Sequence, residues 1–321
     1  MMSKENLIHK AYSMDMSETN SHIQEMLEQK LSEDAGLDIT SEAVLERNTK
    51  VYGVIKAKCY GMLAGLEDVL EFYKNHGIDS TALKKDGDEL FAGESIAELY
   101  GPEKEFLIVE RTGLNLLQRM SGIATKTSKL AEVVKDYGIK IAGTRKTVLN
   151  YPDKKAIAIG GGLPHRMNLS DAIMIKDNHL SALYAEGVAP IETAIKRAYA
   201  AVEKYKPKFI EIEVRTLDGA LKAAQTYLAT SGIDRDSADA VPLIIMLDNM
   251  TAESVETVVK TFEETGLSDK IILEASGRIN EKNLDVYAIT GVDVISMGAL
   301  THSVTALDIS QKITTGGDMN D

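Results

Sequence analysis

Apolar residues recur at helical spacing in residues 21–31, at Ile23, Met26, Leu27 and Leu31, which predicts an amphipathic surface helix. Residues 51–58 (VYGVIKAK) alternate as a strand does, and residues 61–77 read as a strand end, a helix through Leu70 and Tyr73, and a stop at Gly77. Residues 84–101 return to short strands parted by Asp-Gly and Ala-Gly turns, so the first third of the chain is mixed α+β with hairpin-like connections. Residues 102–137 are helical in pattern, with Pro102 in the first turn and Gly113, Gly122 and Gly138 as punctuation.

After Gly138 short β-rich runs alternate with helix-length segments, the texture of repeated βα units. Six strands are predicted, at residues 139–144, 172–176, 209–214, 243–248, 270–276 and 292–298. Continuous apolar strands joined by crossover helices imply a parallel sheet covered on both faces, either a barrel or an open doubly wound sheet. No GxGxxG opens a helix and no P-loop is present, which counts against a dinucleotide or P-loop site. Residues 231–240 (SGIDRDSADA) read as an inserted, solvated loop, and the tail from residue 314 is expected to be mobile.

Composition narrows the function more than the fold. A length of 321 residues suggests two domains, and 44% hydrophobic with 26% charged residues is ordinary for a globular protein. A net charge of −13 repels phosphate backbones and anionic membranes, so nucleic acid is a poor partner. The longest apolar run, VPLIIML, falls far short of the roughly 20 residues needed to span a bilayer. No signal-peptide pattern opens the chain, and its single cysteine, Cys59, forms no internal disulfide; a cytoplasmic protein is expected.

The candidate chemistry lies where the βα strands end. In order they end at Arg145 and Lys146, at Lys176, at Glu213, at Asp248, at Ser276 and Gly277, and at Gly298. The carboxyl ends of parallel strands open into one crevice, where enzymes of this class place their active sites. Residues 139–181 hold seven Lys and Arg against three Asp, a cationic island in an acidic chain, with His165 and His179 among them. Such a cluster needs an anion to neutralise it, which points to a polyanionic small ligand. LEASGRI and ISMGALTH set Ser276, Gly277, Gly298 and Ala299, with His302 nearby, where backbone N–H groups can hold a phosphate. Glu213 and Asp248 suit a divalent cation or sugar hydroxyls, although Glu211 shares the facing of Glu213 and the two are not separable by spacing. Gly160, Gly161 and Gly162 read as a loop presenting His165 and Arg166.

These motifs, in this order, resemble the quinolinate phosphoribosyltransferase family: ERTGLNLLQRMSGIAT (110–125), GTRKT (143–147), GGGLPHR (160–166), MIKDNH (174–179), EIEV (211–214), LDN (247–249), EASG (274–277) and SMGALTHS (296–303). The resemblance implies an α/β fold with three parts. Residues 1–125 would form an N-terminal α+β sandwich domain, residues 126–302 an incomplete seven-stranded α/β barrel with its remaining strand near 156–160, and residues 303–321 a C-terminal helix and tail packing back on the N-terminal domain. It also implies a homodimer in which Arg111 crosses to the partner's site, and leaves dimer against hexamer open.

Carried over, Arg111, Arg145, Lys146, His165, Arg166 and Lys176 surround the carboxylates of quinolinate. Lys176, Glu213 and Asp248 contact phosphoribosyl pyrophosphate and its Mg2+, and Ser276, Gly277, Gly298 and His302 hold the 5′-phosphate; Lys146, Glu213 and Asp248 carry catalysis. Lys146 and Arg166 are expected on a solvent-facing rim. The chain departs from the family pattern at Leu37, at Arg215, and in a loop after Lys146 about two residues shorter. A transferase for another acid such as nicotinate, or a silent receptor of phosphorylated metabolites, is the competing reading.

Overall fold

The computed structural model describes residues 3–232 and 241–314; the expected solvated loop from residue 233 onward, and the tail beyond residue 314, lie outside the described residues. The chain divides into two compact units. The first comprises the residues up to Met14 together with Leu130–Lys146 and Gly162–Ala299, and the second Asp15–Lys129, Thr147–Gly161 and the residues from Leu300. This redraws the boundary expected at residue 125. The first helix joins the βα unit, and the segment after Lys146 leaves it.

In the second unit an antiparallel sheet is built from strands β1 (Lys50–Ala57), β3 (Asp79–Ala82) and β5 (Ser95–Pro102), while β2 (Gly61–Met62) pairs with β4 (Glu89–Leu90). The expected amphipathic helix runs Met16–Asp34, and its buried positions Ile23, Leu27 and Leu31 keep the helical period. Pro102 ends β5 rather than opening a helix, and one helix spans Glu103–Val134. Gly113 and Gly122 lie inside it and do not punctuate it. A Cβ on Gly113 would come within 2.5 Å of the Tyr73 ring, and one on Gly122 would collide with the Thr305 carbonyl, so both glycines serve close packing.

In the first unit all six predicted strands form one parallel sheet: β6 (Lys140–Ala142), β7 (Ile173–Ile175), β8 (Ile210–Val214), β9 (Leu243–Asp248), β10 (Ile272–Ser276) and β11 (Val294–Ser296). Their order is β6-β11-β10-β9-β8-β7. β8, β9 and β10 are almost wholly buried, as strands covered on both faces must be. The seventh strand sought near residues 156–160 is not there, since 156–159 close the helix Asn150–Ile159. Its place beside β6 is taken by a single parallel bridge, Ala142 to Leu163. Gly161, at φ 82°, turns the chain between the two.

Inward residues of this sheet, among them Ala142, Ala172, Phe209, Ile244, Ile272 and Val294, form one cluster with Leu163, with Ile8 and Ala11 of the helix Lys4–Ala11, and with Tyr12 that caps it. The first helix therefore closes the sheet's inner space. Where a C-terminal helix was expected from residue 303, the described residues form strand β12 (Ile309–Thr314), which pairs antiparallel with β1. No described helix is long and apolar enough to cross a membrane.

Candidate active site

Strand parity decides what faces the inner space. Counting back in steps of two from each strand end puts Lys176 over Met174, Glu213 over Glu211, Asp248 over Met246, Ser276 over Glu274 and Ser296 over Val294. The register makes the upper members neighbours, for Ser276 pairs with both Asp248 and Ser296. That upper layer lines a cavity of about 550 Å³, joined by Thr144, Arg145, Lys146, His165, Arg166, Met174, Met246, Asn249, Gly277 and Arg278.

Of the expected site residues the cavity thus gathers Arg145, Lys146, His165, Arg166, Lys176, Glu213, Asp248, Ser276 and Gly277. Gly298 is partly exposed and does not line it. His302 belongs to the second unit, where its Nδ1 lies 2.6 Å from Ser303 Oγ. Arg111 is in the second unit too, with its side chain 60% exposed, and lines a pocket there with Lys30, Glu33 and Arg119.

The cationic island is smaller than its composition suggests. Lys154 and Lys155 are buried in the second unit, and Lys140 faces Glu5 at 3.5 Å. Four cations remain at the cavity: Arg145 and Lys146 are exposed, whereas Arg166 keeps only 5% of its surface, so the expectation of a rim position holds for Lys146 and fails for Arg166. Burial and the neighbouring Arg145 push the Arg166 guanidinium down from its ordinary value.

The carboxylates divide into two levels. Glu213, 14% exposed, takes Lys176 Nζ on Oε1 at 2.7 Å. Asp248 accepts from Arg215 at 3.3 Å, and the same guanidinium reaches Asp177 at 2.5 Å, so a residue off the family pattern ties two acids together at the strand ends. Glu211 lies one level deeper and is fully buried, and the structure thus resolves the choice between the two glutamates in favour of Glu213 at the cavity.

The deeper level is a closed polar cluster. His165 Nε2 faces Glu211 at 3.4 Å and Glu274 at 3.6 Å, and Tyr12 donates to Glu274 at 2.5 Å. Burial opposes a charge on His165, yet the two carboxylates outweigh it and draw the imidazole toward about 9. Its Nδ1, however, accepts the Arg166 backbone N–H at 2.8 Å. An imidazolium would set two donors against each other there, so the hydrogen bond decides: His165 is neutral with its proton on Nε2. Burial raises Glu211. Burial also works against charge on Glu274, but the hydrogen bonds it takes from His165, Ser296 and Tyr12 hold it below the usual range. The three donor groups lie within 4.8 Å of one another, yet a metal on Nε2 would need a proton on Nδ1, which the Arg166 N–H excludes.

Thr144, Asn249, Ser296 and Arg278 were missed. Thr144 and Ser296 carried a parity signal, each standing two residues on from a β-run position; Asn249 and Arg278 carried none, because their placement depends on backbone conformation.

Comparison with known proteins bears on the family and the fold. The family model for the quinolinate phosphoribosyl transferase C-terminal domain matches residues 123–312, and that for the N-terminal domain of the same family matches residues 38–121. The chain is 38% identical over 294 residues to a probable nicotinate-nucleotide pyrophosphorylase [carboxylating] of Methanothermobacter thermautotrophicus, covering 90% of this chain and 98% of that one. A protein of the same description from Bacillus subtilis is 37% identical over 297 residues, covering 91% and 93%. The solved nicotinate-nucleotide pyrophosphorylase of Francisella tularensis superposes with a TM-score of 0.77 at 29% identity, covering 95% and 99%.

Proposed function

The chain belongs to the quinolinate phosphoribosyl transferase family, and from that premise we propose that it moves the phosphoribosyl group of phosphoribosyl pyrophosphate onto quinolinate, yielding nicotinate mononucleotide, diphosphate and carbon dioxide. The observation that carries this reading is one cavity in which Arg145, Lys146, Arg166 and Lys176 stand against Glu213 and Asp248. Two polyanions must meet for this reaction, and the cations screen their repulsion while fixing their orientation.

As diphosphate leaves the anomeric carbon, positive charge builds on the ribose, and Glu213 and Asp248 are the anions aimed at it. The pyridine nitrogen then bonds to that carbon. The resulting pyridinium takes up the electron pair of the bond to the 2-carboxylate, which departs as carbon dioxide. Arg166, buried at the cavity, would with Arg145 and Lys146 take the carboxylates of quinolinate, and Ser276 with Gly277 the 5′-phosphate. His165 lines the cavity, with Nδ1 taken by the Arg166 backbone N–H and Nε2 facing Glu211.

Glu213 and Asp248 would hold Mg2+, since each gives one oxygen to a chain cation and keeps one hard oxygen donor, and the ion would supply positive charge to offset that of the leaving diphosphate.

The test is an end-point assay with phosphoribosyl pyrophosphate and magnesium, offering quinolinate and nicotinate in parallel. Nicotinate mononucleotide from quinolinate alone, with carbon dioxide, is expected; product from nicotinate alone would overturn the reading.

The homodimer with Arg111 donated to the partner belongs to the same proposal, and the exposure of Arg111 is what a donated residue requires. Arg111→Ala and Lys146→Ala should each be inactive alone. Mixed after dissociation, they should regain about a quarter of wild-type activity, because half the dimers then carry one intact site. No recovery would place Arg111 at its own subunit's site or outside the mechanism.

A further inference from the structure

Four described non-glycine residues adopt positive φ: His165, Lys206, Asn249 and Arg278. Lys206 merely ends the helix Val202–Tyr205, but the other three line the cavity. Backbone strain gathered at a site is a pointer to function. Asn tolerates this conformation, and His165 is held by its buried partners. Arg278 has neither excuse.

The chain leaves β10 through Ser276 and Gly277. Gly277, at φ 97°, cannot be replaced, because a Cβ would stand 2.6 Å from Asn249 Oδ1 and 2.9 Å from its backbone N. Arg278 follows at φ 57°, where a glycine would sit without cost. Its carbonyl accepts from Asn280 Nδ2 at 3.2 Å and Asn283 Nδ2 at 3.3 Å, which holds the turn through the backbone alone. The side chain is exposed at the cavity beside Ser276 and Gly277, and among the described residues its guanidinium makes no hydrogen bond or ion pair. Among the described residues the guanidinium thus has no polar partner in the fold, while its backbone holds a conformation that disfavours a side chain.

We propose that Arg278 is a binding residue for the phosphate monoester of the phosphoribosyl substrate, its planar fork gripping two phosphate oxygens above Ser276 and the N–H groups of the Gly277 turn. A guanidinium presents two parallel donors to a phosphate, where lysine presents a point charge. The proposal rests on the phosphoribosyl reading above and adds to it a residue that selects for the 5′-phosphate.

Arg278→Gly separates this role from a structural one, since it removes the guanidinium and the backbone strain together. The expected result is a KM for phosphoribosyl pyrophosphate raised roughly 10- to 100-fold, as for loss of a charge-assisted contact, with the KM for quinolinate within threefold of wild type and Tm unchanged or higher. Arg278→Lys should fall between. Calorimetric binding of ribose 5-phosphate, compared with ribose, isolates the monoester: the wild type binds the phosphate form and the glycine variant weakly or not at all. Equal ribose 5-phosphate affinity in the two proteins overturns the proposal, as does a fall in Tm with both KM values rising together. Should the wild type transfer nothing to quinolinate yet bind ribose 5-phosphate through Arg278, the assigned reaction fails and the phosphate site stands.

Discussion

Glu213→Gln is expected to lower kcat by roughly 100- to 1,000-fold while the protein stays folded, the size seen when one preorganised electrostatic group is removed from a transition state. Glutamine keeps the shape of the side chain at the end of β8 and removes only its charge. The loss falls on the step in which the ribose becomes cationic, so kcat should suffer far more than either KM. Two terms act together, because Lys176, 2.7 Å away, also loses the anion that offsets it and becomes a net positive charge beside the developing cation. Lys176 is 44% exposed, so water can solvate it and Tm should move little. Steady-state kinetics with a thermal melt on the same sample check this, and a kcat within threefold of wild type would remove Glu213 from the catalytic role.

The largest stability effect is expected in the second unit, at a buried ion pair. Lys155 Nζ lies 2.9 and 2.8 Å from the two oxygens of Asp68 and 2.9 Å from Asn20 Oδ1, with the paired side chains 3% and 1% exposed. Burial pushes the Asp68 carboxyl up in spite of Lys155 beside it, so the pair gains little over a neutral alternative. Breaking it is another matter. Asp68→Ala strands an ammonium in the core and should cost about 3–5 kcal/mol, a Tm fall of roughly 6–20 °C for a chain of this size. Replacing both residues, as Asp68→Leu with Lys155→Met, should recover most of that loss, since no uncompensated charge is left. Denaturant melts of the two variants decide it: a double variant no better than Asp68→Ala would mean that packing, not charge, sets the cost.

Lys155 also shows where sequence reasoning loses its grip. On the chain it stands nine residues from Lys146 and counts equally toward a cationic island. In the fold Thr147–Gly161 leaves the unit that holds Lys146, and Lys155 finds Asp68, 87 residues away. Arg166 escaped in the opposite direction. A charge is expected at the surface, and this one is buried while lining the cavity. Gly113 and Gly122 looked like helix ends because a missing side chain reads the same whether it frees the backbone or admits a neighbour.

What the sequence determined by itself is whatever depends on period and composition: six apolar strands, their helical crossovers, and the charged or small residue at each strand end, all on the carboxyl side of the sheet. These are local properties, since alternation along a strand fixes facing wherever the strand lies. The tertiary structure alone decided the rest. It set Glu213 at the cavity and Glu211 beneath it, closed the inner space with Tyr12 from the far end of the chain, filled the seventh strand's place with Leu163, and brought Arg278 to the cavity on a left-handed backbone turn. Those outcomes depend on depth along the sheet, on contacts between residues distant in sequence and on left-handed backbone turns, and none of the three leaves a periodic trace.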